Sequence, residues 1–123
     1  MNWLIKYSIV LVLTMVSMMA QAQEENRFVE GISDLPLHQA FELLDEPLIF
    51  DSADGRIIEV TYVTQNSQLG QQEVIDYYQE LMTQLGWQSV SPQIFEREGE
   101  QLSLEFEMKH GEMQLTFILR PIS

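Results

Sequence analysis

The sequence predicts an α+β fold, a two-layer sandwich in which one amphipathic helix packs on a four- to five-stranded antiparallel sheet in the order β-β-α-β-β-β. Three observations support this fold class. One segment repeats its apolar residues with the 3.6-residue period of a helix, and the segments around it alternate with a period of two. Pairs of turn-forming residues separate the alternating segments. A helix with a single apolar stripe needs a sheet to cover, which gives the two layers.

Residues 1–22 have the pattern of a cleavable signal peptide. Lys6 precedes an apolar run, and Ala20-Gln21-Ala22 forms a small-x-small cleavage site, so we expect the mature chain to begin at Gln23. An uncleaved signal anchor is the alternative, because residues 3–22 could just cross a bilayer if tilted. Cleavage predicts a periplasmic or secreted protein with no stable membrane insertion.

We expect the mature chain to contain a flexible N-terminal segment, residues 23–34, and a single α+β domain, residues 35–123. The first of these is polar and has no sustained period, so it should fray. Leu35 to Glu46 is ambiguous, and a short helix capped by Asp34 and ended by Pro47 is one interpretation. In that helix the apolar residues recur at i, i+4 and i+7, as Leu37, Phe41 and Leu44.

From Leu48 the apolar period changes to two, which predicts a hairpin. Its strands run from Leu48 to Asp51 and from Arg56 to Thr64, and Asp54-Gly55 sets the turn between them. One face of the second strand carries Ile58, Val60 and Tyr62, and the other carries Ile57, Glu59, Thr61 and Val63.

The clearest element is the helix predicted from about Gln71 to Leu85. Its apolar stripe consists of Val74, Ile75, Tyr78, Leu81, Met82 and Leu85. Gly86 is the expected left-handed residue after the helix, and Trp87 is placed to contact Met82, as in a Schellman motif. The stripe requires an apolar sheet face opposite it.

Three strands that follow the helix complete the predicted sheet. They run from about Trp87 to Arg97, Gln101 to Lys109 and Glu112 to Arg120. The dipeptides Glu98-Gly99 and His110-Gly111 predict tight antiparallel turns between them. One face of the sheet is then apolar and meets the helix, and the opposite face is acidic and solvated.

Four short segments carry a family resemblance: Asp34 to Leu37, Gly55 to Glu59, Leu85 to Trp87, and Phe95 to Glu100. Together they resemble the sequence markers of a family of small exported alphaproteobacterial proteins of unknown function. The resemblance spans nearly the whole mature chain and implies export, with no activity, cofactor or catalytic residue to transfer. In architecture alone, the predicted fold also resembles the helix-on-sheet domains of the outer-membrane assembly lipoprotein BamC. This chain has no cysteine to lipidate, so membrane anchoring does not transfer.

The composition excludes several classes of function. The 123 residues include 6 Lys and Arg against 19 Asp and Glu. Lys6 leaves with the signal, so five cations remain in the mature chain, whose net charge is −14. Such acidity opposes binding to nucleic acids and anionic membranes. The absence of cysteine excludes disulfides, thiolate metal sites and a cysteine nucleophile.

Two groups of carboxylates could carry chemistry. The densest group consists of Asp45, Glu46, Asp51 and Asp54, and its oxygens could hold calcium. A second group on one hairpin consists of Glu96, Glu98, Glu100, Glu105 and Glu107, and paired carboxylates could act as general acid and base. The first does not fit an EF-hand loop, and solvated turns and charged strand edges explain both groups. We therefore predict no metal site.

The histidines offer little for catalysis. His110 lies in a predicted turn, and His38 has only Asp34 and Glu42 near it at helical spacing. The chain also has no nucleophile-elbow serine, no Gly-rich phosphate loop and no basic-aromatic patch. The sequence therefore predicts no catalytic or cofactor-binding residue, no cofactor and no enzymatic activity.

The remaining interpretation is a non-enzymatic periplasmic accessory or protein-interaction domain that binds an envelope protein. The partner could bind at the sheet edge, at the Leu35 to Pro47 segment, or at the outward apolar residues, of which Ile57, Val63 and Ile118 are the leading interface candidates. Tyr77, at the border of the helix stripe, is a further candidate, although it could instead cover the edge of the sheet. The alternative is a periplasmic protein that binds a small apolar or cationic ligand between helix and sheet.

Overall fold

The computed structural model describes residues 27–122, so the predicted signal peptide lies outside the described residues. They form one α-helix and one antiparallel sheet of seven strands, which confirms the α+β class but exceeds the predicted four to five strands. The elements in chain order are β1 (Glu42–Leu43), β2 (Leu48–Ser52), β3 (Gly55–Thr64), α1 (Gln71–Gln84), β4 (Gln88–Ser91), β5 (Ile94–Arg97), β6 (Glu100–Lys109) and β7 (Glu112–Pro121).

Two differences explain the larger number of strands. The segment predicted as a single strand after the helix forms β4 and β5, because the chain turns at Pro92 and Gln93. The additional strand β1 is only two residues long, too short to show a period of two. The observed order is therefore β-β-β-α-β-β-β-β rather than β-β-α-β-β-β.

The strands lie in the order β1-β3-β7-β6-β5-β4, and β2 pairs with β3 on the same side as β1. We call the side of the sheet that α1 covers the inner face and the opposite side the outer face. The inner face of the central strands carries Ile58, Val60 and Tyr62 of β3 beside Leu115, Phe117 and Leu119 of β7. These side chains are buried, and the rings of Tyr62 and Tyr78 each meet the ring of Phe117 edge-on.

The predicted helix and its end are confirmed. The buried residues of α1 are Val74, Ile75, Tyr78 and Met82. Gly86 has a φ of 87°, and the Trp87 N–H donates to the Met82 carbonyl at 2.9 Å, which completes a Schellman motif. The stop signal read from Leu85-Gly86-Trp87 therefore ends the helix in the expected way.

Two of the three predicted hairpin turns are confirmed. Both residues of Glu98-Gly99 and of His110-Gly111 have positive φ, as two-residue type I′ turns require. The third turn differs, because Ala53 and Asp54 occupy it and Gly55 is the first residue of β3. The Ser52 hydroxyl closes this turn by donating to the Gly55 carbonyl at 2.8 Å.

Residues 27–41 differ most from the sequence expectation. Of the predicted N-terminal segment, residues 23–26 lie outside the described residues, whereas Val29 and Ile32 are 1% and 0% exposed and belong to the hydrophobic core. The short helix proposed over Leu35 to Glu46 is absent, although Leu35, Leu37 and Phe41 are all buried. This part of the chain, which we call the 27–41 segment, folds as turns and one isolated bridge between Phe28 and Pro36.

The backbone of the 27–41 segment, which forms no helix, makes hydrogen bonds with side chains that are distant in the sequence. The Tyr62 hydroxyl accepts the Glu30 N–H at 2.9 Å. The Tyr78 hydroxyl accepts the His38 N–H at 3.0 Å and donates to the Pro36 carbonyl at 3.1 Å. Because buried backbone groups need partners, these two phenols fix the path of the segment over the inner face.

Two arginines hold the same segment from the sheet. Arg56 donates to the Gly31 carbonyl at 3.1 Å. Arg97 donates to Asp34 at 2.7 Å and to the Leu85 carbonyl at 3.0 Å. The pKa of Asp34 is lowered, chiefly by its hydrogen bond from Arg97. The 27–41 segment and α1 together cover the inner face, and within residues 27–122 no helix lies over the outer face.

Candidate interaction surface

One edge of the sheet consists of β1, β2 and the connecting residues 44–47, and we call residues 42–52 the open edge. All five residues of β2 are exposed. Its three large apolar side chains, Leu48, Ile49 and Phe50, are 54%, 53% and 46% exposed. An exposed run of apolar residues on an edge strand is a surface on which another strand can pair.

The pairing with β3 shows which backbone groups of the open edge lack a partner in the sheet. The Leu44 N–H donates to the Thr61 carbonyl at 3.0 Å, so the odd-numbered residues of β3 direct their backbone toward the open edge. Phe50 pairs with Ile57, one of these residues, so the backbone N–H and C=O of Phe50 point toward β3. The backbone N–H and C=O of Ile49 and Asp51, on either side of Phe50, therefore point away from the sheet. These groups can accept a further strand.

The opposite edge of the sheet, β4, is different. Its sequence is Gln-Ser-Val-Ser, in which Val90 is the one exposed apolar residue. A register shift between Ser89 and Ser91 interrupts its pairing with β5, and the Gln79 side chain of α1 donates to the Pro92 carbonyl nearby. Bulges and polar residues discourage pairing at an edge, so β4 is the poorer site for an added strand.

A depression of about 290 Å³ adjoins β1. It is lined by Arg27, Phe28, Glu30, Leu37, Glu42, Leu43 and Tyr62. Phe28 and Leu43 are 47% and 45% exposed, so its walls are partly apolar. The depression places apolar surface directly beside the open edge.

The charges around the open edge are nearly all negative. Its carboxylates are Glu42, Asp45, Glu46 and Asp51, with Asp54 in the adjoining turn and Glu59 opposite Leu48. Arg27 pairs with Glu42 at 3.2 Å. Arg56 lies opposite Asp51, but its guanidinium binds both oxygens of Glu100 at 2.8 and 3.0 Å. Both arginines near the open edge are therefore paired within the molecule.

The structure separates the four predicted interface residues. Ile57 lies on the outer face directly opposite exposed Phe50 of the open edge, and it is partly exposed. Val63 is also partly exposed, opposite Glu42 of β1. Two of the four residues thus adjoin the open edge.

The other two predicted interface residues lie elsewhere. Ile118 is on the outer face but only 8% exposed, because its central strand is flanked by Glu59 of β3 and Ser103 of β6. Tyr77 is 38% exposed in the helix layer, where its ring meets His38 at 4.8 Å. Since that layer covers the inner face, Tyr77 does not share a surface with the outer-face residues.

The remaining candidates have structural roles. His38 is half-buried, burial lowers its pKa, and its Nδ1 accepts the Ala40 N–H at 3.1 Å. His110 lies in its predicted turn with a φ of 53°. Within residues 27–122 no group of three or more His, Cys, Asp or Glu side chains is arranged to hold a metal ion.

The sequence predicted a sheet edge among the possible binding surfaces but did not identify β2 as an exposed edge strand. A period of two describes a strand with one neighbour as well as a strand with two, so it could not identify an edge. The available signal was the run Leu48-Ile49-Phe50, three adjacent apolar residues next to Pro47 and a pair of acids. Proline and charge beside an apolar strand are typical of an edge.

No known protein family matches this chain, and neither a curated protein nor a solved structure is significantly similar to it. The resemblances to an alphaproteobacterial exported family and to BamC stay predictions. Within the described part of the chain, no helix is long and apolar enough to cross a membrane.

The segments that carry the family resemblance meet in the structure. Arg97 binds Asp34 and the carbonyl of Leu85, which joins three of the four segments. The remaining segment, Gly55 to Glu59, supplies Arg56, whose partner Glu100 ends the segment from Phe95 to Glu100. Arg56 and Arg97 thus hold the 27–41 segment against the sheet.

Proposed function

We propose that this protein is a non-enzymatic interaction domain that binds an extended segment of another protein along the open edge. The bound segment adds a strand to the sheet beside β2. The observation that carries the proposal is that all five residues of β2 are exposed, three of them with large apolar side chains, and that no described residue pairs with the outward backbone groups of Ile49 and Asp51. Strand addition uses such backbone groups for affinity and the flanking side chains for specificity.

The contrast between the two edges supports this proposal. The polar, bulged strand β4 has the features by which proteins block edge pairing, whereas β2 lacks a bulge along its paired length. Ile57, one of the predicted interface residues, extends the apolar surface of Phe50 onto the outer face. A partner strand would therefore contact both the edge and the nearest part of that face.

The proposed setting is the periplasm, with an envelope protein as the partner. This part of the proposal depends on the signal-peptide pattern of residues 1–22 and on the acidic composition. A small-ligand function has less support, since Tyr62, Tyr78 and Phe117 are almost completely buried and fill the space between α1 and the sheet.

Site-specific photocrosslinking in cells of the source organism tests the proposal. The photoreactive residue p-benzoylphenylalanine replaces Phe50 on the open edge or, as the matched control, Val90 on the opposite edge; both native side chains are exposed. We expect a discrete adduct with one envelope protein from position 50 and none from position 90.

A backbone variant completes the test. Ile49→Pro removes an N–H that points away from the sheet, a position at which an edge strand tolerates proline. We expect it to abolish the adduct from position 50, whereas Ile49→Val retains the adduct. Equal adducts from both edges, or an adduct that persists in the proline variant, would contradict strand addition.

A further inference from the structure

We infer that the segment bound at the open edge is a basic one, in which Lys or Arg residues flank alternating apolar residues. This inference rests on the proposed function and adds the chemistry of the partner. It is carried by the arrangement of charge around β2, where carboxylates stand at both ends of an apolar strand.

The carboxylates bracket the strand on which the partner would lie. Asp45 and Glu46 precede β2, and Asp51 and Asp54 stand at its end and in the turn that follows. All four residues are exposed. An added strand of about the same length as β2 would therefore place its terminal residues beside carboxylates, and opposite charges at these positions favour the correct register.

Among the described residues, the two arginines that lie opposite or beside carboxylates of the open edge, Arg27 and Arg56, are already paired. Arg27 is 3.2 Å from Glu42, and Arg56 binds Glu100 through two hydrogen bonds. The shift in the pKa of Arg56 agrees, since it is raised chiefly by the hydrogen bond to Glu100. A partner with positive charge would therefore complement the exposed carboxylates that these two arginines do not reach.

The same charges exclude a second copy of this chain as the occupant. Antiparallel pairing of β2 with β2 would bring the carboxylates of Asp45, Glu46 and Asp51 of one copy close to those of the other. Like charges placed face to face across an interface are unfavourable, and this discriminates against the wrong partner. A basic segment gains from the arrangement that repels a second copy.

Apolar residues belong in the centre and at the β1 end of the bound segment. Leu48 and Phe50 project to the outer face and Ile49 to the inner face, so successive partner residues meet apolar neighbours on both sides. Beyond β1, the depression between Phe28 and Leu43 offers a place for one larger apolar side chain.

A random dodecapeptide display library, selected against protein purified after expression of the full chain, tests the inference. We expect the selected peptides to be enriched in Lys or Arg around a short alternating apolar core. In fluorescence anisotropy, replacing those basic residues by Glu should weaken binding at least tenfold, and raising salt from about 50 mM to about 500 mM should weaken it as well.

Variants of the protein locate the charge effect. The triple variant D45N/E46Q/D51N should bind the selected peptides about tenfold more weakly, since it removes three exposed ion pairs. The matched control E80Q/E105Q/E107Q changes the net charge equally at exposed residues away from the open edge, and it should bind as the wild type does. Equal losses in the two variants would show non-specific attraction and would overturn the inference.

The Ile49→Pro variant distinguishes the failure of this inference from the failure of the proposed function. If peptides without positive charge are selected and the proline variant loses them, strand addition holds and the inference of a basic partner is overturned. If the selected peptides bind the proline variant unchanged, the proposed function itself fails. A dimer of the wild-type protein whose formation blocks the peptides, detected by sedimentation, would overturn the inference in favour of a second copy.

Discussion

Tyr78 illustrates how one side chain organises the layer above the inner face. Its ring is fully buried in α1, and its hydroxyl serves two backbone groups of the 27–41 segment, the N–H of His38 and the carbonyl of Pro36. Burial raises the pKa of Tyr78 well above that of a free phenol, so the hydroxyl keeps its proton and remains a donor in alkaline solution. The hydroxyl oxygen of Tyr78 thus links the helix directly to the 27–41 segment.

We expect Tyr78→Phe to lower the free energy of unfolding by about 1–2 kcal/mol, because it leaves a part-buried N–H and a part-buried C=O without their partner. Urea denaturation followed by fluorescence of Trp87 measures the change. Tyr77→Phe is the control, since Tyr77 is 38% exposed and a surface change of this kind shifts stability by less than about 0.5 kcal/mol. Equal stability of the two variants would show that the hydroxyl of Tyr78 does not hold the segment.

His38 makes the same region sensitive to acid. Burial lowers its pKa, although the nearby carboxylate of Glu73 acts in the opposite direction. The unfolded chain therefore takes up a proton, near the ordinary pKa of about 6.5, that the folded chain resists. The contribution of His38 to stability is present above that pH and is lost as the pH falls through the folded-state pKa.

We expect the free energy of unfolding to fall between about pH 7 and pH 5, with part of the decrease due to His38. Protonation would also turn its Nδ1 from an acceptor of the Ala40 N–H into a donor. His38→Asn supplies an amide oxygen at this position and does not titrate, so the decrease should be smaller in this variant. Urea denaturation at pH 7.5, 6.5 and 5.5 checks this, and an identical slope in both proteins would refute a role for His38.

At the scale of single elements, the sequence predicted what short-range rules determine. The apolar stripe of α1, its glycine stop and the two type I′ turns each depend on residues a few positions apart, and all are confirmed. The 27–41 segment was not predicted, because its order comes from Tyr62, Tyr78, Arg56 and Arg97, which lie 25 to 63 residues away in the chain. The open edge was missed for a similar reason, since the number of neighbours of a strand is a property of the whole sheet.

The start of α1 offers a way to strengthen an element without touching the core. Gly70 is the N-cap residue, with an extended φ of −87° and no capping side chain, and Glu73 is already at the third helical position. Gly70→Ser would complete a capping box with Glu73. A Cβ at residue 70 meets its nearest neighbour, a Glu73 oxygen, at an ordinary distance of 3.7 Å.

We expect Gly70→Ser to raise the free energy of unfolding by roughly 0.5 kcal/mol relative to wild type and by about 1 kcal/mol relative to Gly70→Ala, which has no capping oxygen. Thermal denaturation monitored by circular dichroism provides the comparison. If serine and alanine at this position give the same melting temperature, the end of the helix gains nothing from a side-chain cap.

At the scale of the whole molecule, one face of the sheet is covered by the rest of the chain, and the features that could bind a partner lie along one edge. The 27–41 segment and α1 cover the inner face, the edge at β4 is polar and bulged, and the open edge combines apolar side chains with carboxylates. The carboxylates then have two roles. In our proposal they favour a basic partner, and they keep the apolar strand from pairing with further copies of the protein.

This second role predicts the association state of charge variants. We expect the wild-type protein to be monomeric at about 50 mM salt, and D45N/E46Q/D51N to self-associate under the same conditions, because neutral amides no longer keep two β2 strands apart. Sedimentation velocity over a range of protein concentrations measures this.

The variant E80Q/E105Q/E107Q has the same net charge and an unchanged open edge, so it should stay monomeric. Adding Ile49→Pro to the first variant should restore the monomer, since it removes an outward N–H that edge-to-edge pairing needs. If the two charge variants associate equally, net charge alone keeps the molecules apart, and the placement of carboxylates around β2 has no part in it.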